Sequence, residues 1–211
     1  QAVASLRLPV DGASLQVSVR ALANAPALLY FGGNAEDVAG TLAELAEQFP
    51  TRSLYLMHYR GYGRSTGSPT EAALHADALA LYQHVRGTLG PAQVQDIAVM
   101  GRSLGSGVAL HLAANQPVSQ LVLVTPYDSM AAVAADHFPW APVRWLLRDR
   151  FDAAALAPRV TAPTTVIMAE LDDVIWRERS EALIKRFSPG VARVVLVSGA
   201  GHNNVSAGQA F

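Results

Sequence analysis

Six short, unbroken apolar runs limit this chain's fold more than any other feature. They are Ala27–Phe31, Leu54–Met57, Ile97–Met100, Leu121–Val124, Thr165–Met168 and Val194–Val197. A strand with one wet face alternates apolar and polar residues. Runs without alternation bury both faces, as strands do in a parallel sheet covered by helices. Helical spacing fills the intervals. Val38, Leu42, Leu45 and Phe49 share one helical face, and so do Leu74, Ala78, Leu81, Tyr82 and Val85. Ser103–Ala114 and Arg177–Phe187 are two further candidate helices. This alternation predicts an α/β fold with a mostly parallel central sheet, right-handed crossovers and helices on both faces. The N-terminus differs. Leu6–Leu8 and Leu15–Val19 alternate on either side of Asp11-Gly12, which predicts an antiparallel hairpin.

With 211 residues, the chain suits one domain over 1–211. Its 51% hydrophobic and 16% charged residues exclude a disordered chain. A net charge of -1 carries no basic footprint for nucleic acid. The absence of cysteine excludes disulfide scaffolds, thiolate zinc sites and Cys nucleophiles. No apolar run reaches the ~18 residues of a membrane helix, so no membrane anchor is visible, and no signal peptide is recognisable. The chain starts at Gln1 rather than Met, so a trimmed N-terminus is expected, and a cytoplasmic and an exported domain are equally compatible. One stretch breaks the rhythm. Residues 128–160 hold Phe138, Trp140 and Trp145 among Arg144, Arg148 and Arg150, and exceed an ordinary crossover. They predict a short cap-like insertion, with the aromatics turned inward or packed onto the sheet.

Gly101-Arg102-Ser103-Leu104-Gly105 carries the chemistry. It fits G-x-S-x-G, follows an apolar run and opens a helix, the context in which a sharp turn lifts a nucleophilic Ser from the sheet. A glycine-rich turn with a helix-capping Ser would have the same letters. A serine hydroxyl needs a base, and the base needs an orienting acid. His202, in Gly199–Asn203 after the last run, sits where a loop at the sheet's C-terminal edge is expected, the edge at which open α/β sheets bind ligands. His111 lies along the helix away from Ser103, and His137 falls in the cap-like stretch. Asp172 is the favoured acid, after Thr165–Met168, with Asp173 and Asp128 as alternatives. Backbone N–H groups of Leu104, the residue after the nucleophile, and of Asn34, in Gly32-Gly33-Asn34, are candidate oxyanion donors. Asn34 would also serve as a helix N-cap.

Together these segments resemble the α/β-hydrolase superfamily. They are most similar to small serine hydrolases related to the bud-emergence (BEM) group of α/β-hydrolase domain proteins. Tyr30–Asp37 resembles that group's Y-F-H-G-N-A segment, and Tyr59–Glu71 its Y-R-G-Y-G-x-S-x-G-x-P segment. Ala169–Ile175 resembles the loop carrying its acid, which aligns Asp172. Gly32 replaces the His of H-G-N, His58 an Asp, and Trp176 a Pro. Only nine residues follow His202, so a short closing helix is expected.

The resemblance and the motifs imply a serine hydrolase of carboxylic esters, acting on a small-molecule ester or acyl substrate through an acyl-enzyme, without metal or organic cofactor. A peptidase or amidase, an acyl-thioesterase, and a non-catalytic binding module remain open alternatives on this fold. The loop Tyr59–Gly67 lacks dinucleotide spacing and reads as a structural loop at the active-site rim.

Overall fold

A computed structural model describes residues 4–205, without the side chains of Arg144 and Trp145. The residues after Val205, where a closing helix was expected, lie outside the described part. Eight strands alternate with helices. They are β1 (Ala4–Val10), β2 (Ala13–Arg20), β3 (Ala27–Phe31), α1 (Val38–Gln48), β4 (Ser53–Met57), α2 (Glu71–Thr88), β5 (Ile97–Arg102), α3 (Leu104–Asn115) and β6 (Gln120–Val124). There follow α4 (Met130–His137), α5 (Val143–Leu146), α6 (Ala153–Leu156), β7 (Thr164–Ala169), α7 (Arg177–Ile184) and β8 (Ala192–Val197). The sheet order is β1-β2-β4-β3-β5-β6-β7-β8. The hairpin β1–β2 joins β4 antiparallel, and every later pairing is parallel.

The unbroken apolar runs explain the central strands. All five residues of β3 are buried, as are all six of β7, because helices cover both faces. Val38, Leu42 and Leu45 of α1 close one face, and Leu74, Ala78, Leu81, Tyr82 and Val85 of α2 close the other. β8 departs from expectation. It is an edge strand, with Val195 and Val197 packed inward while Val194 and Leu196 stay exposed. An apolar run alone does not distinguish a central strand from an edge strand that is covered on one face only.

The stretch between β6 and β7 also departs. Phe138 is 50% and Trp140 82% exposed, so neither turns inward nor packs onto the sheet; Trp145 falls among the undescribed side chains. The anchors to the core are Val133, Phe151 and Ala153 instead. No helix among the described residues is long and apolar enough to cross a membrane.

The chain leaves β3 toward β4 on one side and returns to β5 on the other. That reversal of strand order opens a crevice at the C-terminal ends of β3 and β5.

Candidate active site

Ser103 occupies the turn between β5 and α3 with φ 49 and ψ -120. That left-handed conformation is costly for a residue with a Cβ, by about 1–3 kcal/mol, and persists only where packing imposes it. Packing does so here through two glycines. A Cβ on Gly105 would fall onto the carbonyl of Phe31, and one on Gly101 would meet Ala109 Cβ at 2.6 Å. Helix α3 can therefore lie directly against β3 and β5 only with bare backbone at both positions. Ser103 N–H donates to the Val124 carbonyl at 2.9 Å, which fixes the turn to β6. The Ser103 hydroxyl makes no capping bond to α3. It points elsewhere, which leaves the helix-cap reading without support.

His202 Nε2 lies 3.0 Å from Ser103 Oγ. Its Nδ1 lies 2.9 and 3.0 Å from the two Asp172 carboxylate oxygens. A proton on Nδ1 donated to the carboxylate leaves Nε2 free to accept the serine proton. Asp172 is itself oriented, since its Oδ1 accepts from the N–H groups of Val174 and Ile175 at 3.0 and 2.8 Å. The His202 and Asp172 side chains are only 9% and 5% exposed. The three residues stand on loops after β5, β7 and β8, so the parallel sheet brings its C-terminal loops together at one rim.

The alternative acids lie elsewhere. Asp128 accepts from Arg179 at 3.1 Å, and burial raises its carboxyl above the ordinary range. Asp173 is exposed. His111 stacks on His75 with ring centroids 3.6 Å apart. His137 donates to the Val174 carbonyl at 2.8 Å, which ties α4 to the loop of Asp172.

A cavity of about 380 Å³ is lined by Ser103 and His202 together with Gly33, Asn34, Glu36 and Arg102. Leu104 is the first residue of α3, where N–H groups have no intrahelical acceptor. Asn34 lines the cavity, but it is not the cap of α1. Asp37 takes that place by accepting from Ala39, and the Asn34 amide oxygen instead accepts from Tyr62 at 2.8 Å.

The rim loop contributes more than the sequence suggested. Tyr59 Oη donates to the Gly32 carbonyl at 2.7 Å. Arg60 forms two 2.8 Å bonds with Asp77, a fully buried carboxylate on α2. A carboxylate at helical spacing among apolar residues was the available signal for this anchor. Glu36 and Arg102, which also line the cavity, carried no sequence signal.

The family model described as alpha/beta hydrolase fold matches residues 26–157, and the chain belongs to that family. Among curated proteins it is 40% identical over 183 residues to an uncharacterized protein of Mycobacterium tuberculosis, covering 85% of this chain and 63% of that protein. It is 31% identical over 181 residues to the human alpha/beta hydrolase domain-containing protein 17B, covering 84% of this chain and 60% of that one. The chain thus spans about three-fifths of the length of these relatives. Among solved structures, the alpha/beta hydrolase GrgF from Penicillium sp. sh18 shares the fold, with a TM-score of 0.78 at 16% identity over 99% of this chain and 94% of that one.

Proposed function

We propose that this protein is a serine hydrolase that cleaves carboxylic esters through an acyl-enzyme. Family membership supports hydrolase chemistry in general. The observation that carries the finer reading is the continuous line of hydrogen bonds from Asp172 through His202 to Ser103. In this reading His202 Nε2 takes the Ser103 proton as Oγ attacks the acyl carbon. Asp172 holds the imidazole in the required tautomer and stabilises the imidazolium. The N–H groups of Leu104 and Asn34 receive the oxyanion. Protonated His202 then passes its proton to the leaving alcohol, and water attacks the acyl carbon by the reverse sequence.

A smaller cavity of about 150 Å³ lies beside Leu104 and Asn34, walled by Tyr59, Tyr62, Leu74 and Phe151. At roughly 30 Å³ for a water-sized group, it suits an acyl chain of about five carbons. Residues 128–160 act as a short cap in this scheme. Phe151 forms part of the cavity wall, and Asp149 and Arg150 exchange hydrogen bonds with Glu71 at 2.9 and 2.8 Å.

The test is fluorophosphonate labelling of Ser103 combined with a p-nitrophenyl ester series from two to twelve carbons. Labelling at Ser103 and a maximum of kcat/KM at short chains are expected. A folded chain that takes no label overturns the reading. Faster turnover of aminoacyl anilides or acyl thioesters than of any ester would redirect it to the amide or thioester.

A further inference from the structure

Gly32 and Glu36 depend on each other sterically. A Cβ at Gly32 would meet Val38 Cγ1 at 2.6 Å and the Glu36 carboxyl carbon at 3.1 Å. The bare backbone at Gly32, where the resembling proteins carry His, makes room for the Glu36 side chain. That carboxylate is only 11% exposed and accepts three hydrogen bonds. Tyr30 Oη donates from β3 at 2.7 Å, Thr41 Oγ1 from α1 at 2.8 Å, and Gly33 N–H from the loop itself at 2.6 Å. Tyr30 keeps its proton, because burial and the adjacent Glu36 charge raise its hydroxyl well above the ordinary value.

The fourth partner is Arg102, immediately before Ser103. Its Nη1 stands 3.9 Å from Glu36 Oε2, and its Nη2 donates to the His202 carbonyl at 3.0 Å. A Cβ at Gly33 would touch Glu36 Oε2 at 3.4 Å and Ser103 Cβ at 3.5 Å, so the carboxylate and the serine flank the same short piece of backbone. One buried acid and one arginine thus connect three loops that are far apart in the chain.

We propose that Glu36, paired with Arg102, is a positioning residue that holds the Gly33–Asn34 backbone, the Ser103 turn and the His202 loop in register. The pair has a second consequence. A lone carboxylate this close to Ser103 would oppose an oxyanion, and a lone guanidinium would oppose a protonated His202, so each charge needs the other. The assignment rests on Ser103 being the nucleophile.

The experiment measures p-nitrophenyl acetate hydrolysis, fluorophosphonate labelling and thermal midpoint for wild type, Glu36→Ala, Glu36→Gln, Arg102→Met and the Glu36→Gln/Arg102→Met double variant. A wild type that takes no label removes the serine-hydrolase reading itself, before any variant is compared. With an active wild type, Glu36→Ala is expected to lose about 10²-fold in kcat with little change in KM, the scale of a displacement of about 1 Å in a catalytic site. Glu36→Gln leaves Arg102 uncompensated and moves the acid limb of the kcat/KM profile to lower pH. Arg102→Met leaves the carboxylate uncompensated and moves that limb to higher pH. The double variant brings it back toward wild type. A residue that only stabilises the fold would lower the midpoint without these opposite shifts. Shifts in the same direction, or none, overturn the proposal. So does a folded Glu36→Ala chain with wild-type kcat. Should Glu36→Ala fail to fold, the near-isosteric Glu36→Gln and Arg102→Met variants decide the matter alone.

Discussion

His202 Nε2 and Ser103 Oγ are 99 positions apart in the chain and 3.0 Å apart in space. The contact joins the loop after β8 to the turn after β5, across the ends of β6 and β7. Four parallel strands in three pairings must therefore hold their register for the two atoms to meet. Their meeting therefore depends on sheet packing as well as on the local Ser103 turn.

Replacing the serine separates activity from stability. Ser103→Ala is expected to lower kcat by about 10⁶-fold, the scale seen when a triad nucleophile is removed. Alanine keeps the strained φ of 49, whereas glycine adopts it freely. Ser103→Gly should then be more stable than Ser103→Ala by about 1 kcal/mol, after the added entropy of the unfolded glycine chain is subtracted. Urea denaturation of the two inactive variants measures the difference. A Ser103→Gly midpoint below that of Ser103→Ala would show that the turn is unstrained.

The acid can be tested by comparison. Asp172→Asn should reduce kcat by about 10⁴-fold, because an amide favours the wrong imidazole tautomer. Asp173→Asn should behave as wild type, since that side chain is exposed. Asp128→Asn should weaken the contact with Arg179, at 3.1 Å, and cost stability rather than kcat. Steady-state ester hydrolysis by the three proteins ranks them. A full loss of kcat in Asp128→Asn, with Asp172→Asn active, would reverse the assignment.

Close backbone approach sets a third expectation. Gly105→Ala places a methyl group on the Phe31 carbonyl, where neither backbone can yield without moving α3 off β3. A loss of about 3 kcal/mol is expected, at the upper end for overpacking. Chemical denaturation would check this, and a midpoint within experimental error of wild type would refute it.

Acid sensitivity should arise away from the active site. Burial and the neighbouring His111 lower the His75 pKa from 6.5 to about 4. The two rings stack 3.6 Å apart, and His75 Nε2 is buried without a hydrogen-bond partner. Phe151 meets His75 edge-on, while Glu71 and Arg159 act on His111 with opposite sign. The native state thus favours the neutral ring, and below about pH 6.5 the unfolded chain binds the proton more readily. The stabilising contribution is complete above pH 6.5 and is lost as pH falls toward about 4. Reduced for partial solvent screening, the loss should be about 2 kcal/mol. Burial also lowers the pKa values of His58 and His111, which adds to the slope with the same sign. Thermal midpoints between pH 4 and 7.5 should fall on acidification in wild type and fall less in His75→Leu. Identical slopes would remove His75 from the explanation.

The legibility of this protein follows the range of its interactions. The hairpin, the central strands and the faces of α1 and α2 could be read from spacing, because each is set by the local period of apolar residues. The serine turn is legible for a related reason, since a short strand-to-helix turn of this kind tolerates few residue types beside its serine. The apolar run of β8 predicts burial on both faces, yet Val194 and Leu196 are exposed, because its sequence does not state which neighbours it lacks. The aromatic character of Phe138 and Trp140 predicts side chains turned inward or packed on the sheet, and they face solvent for the same reason.

By itself, the sequence determined the α/β alternation, the strained serine turn and a short set of candidate acids and bases. Only the tertiary structure decided that Asp172, rather than Asp128 or Asp173, meets His202, and that Glu36 faces Arg102 while Asp77 faces Arg60. Carboxylates in loops are chemically interchangeable, and their partners come from distant strands. Which pair meets is settled when the crossovers pack on the sheet and the burial of each charge demands an opposite one beside it.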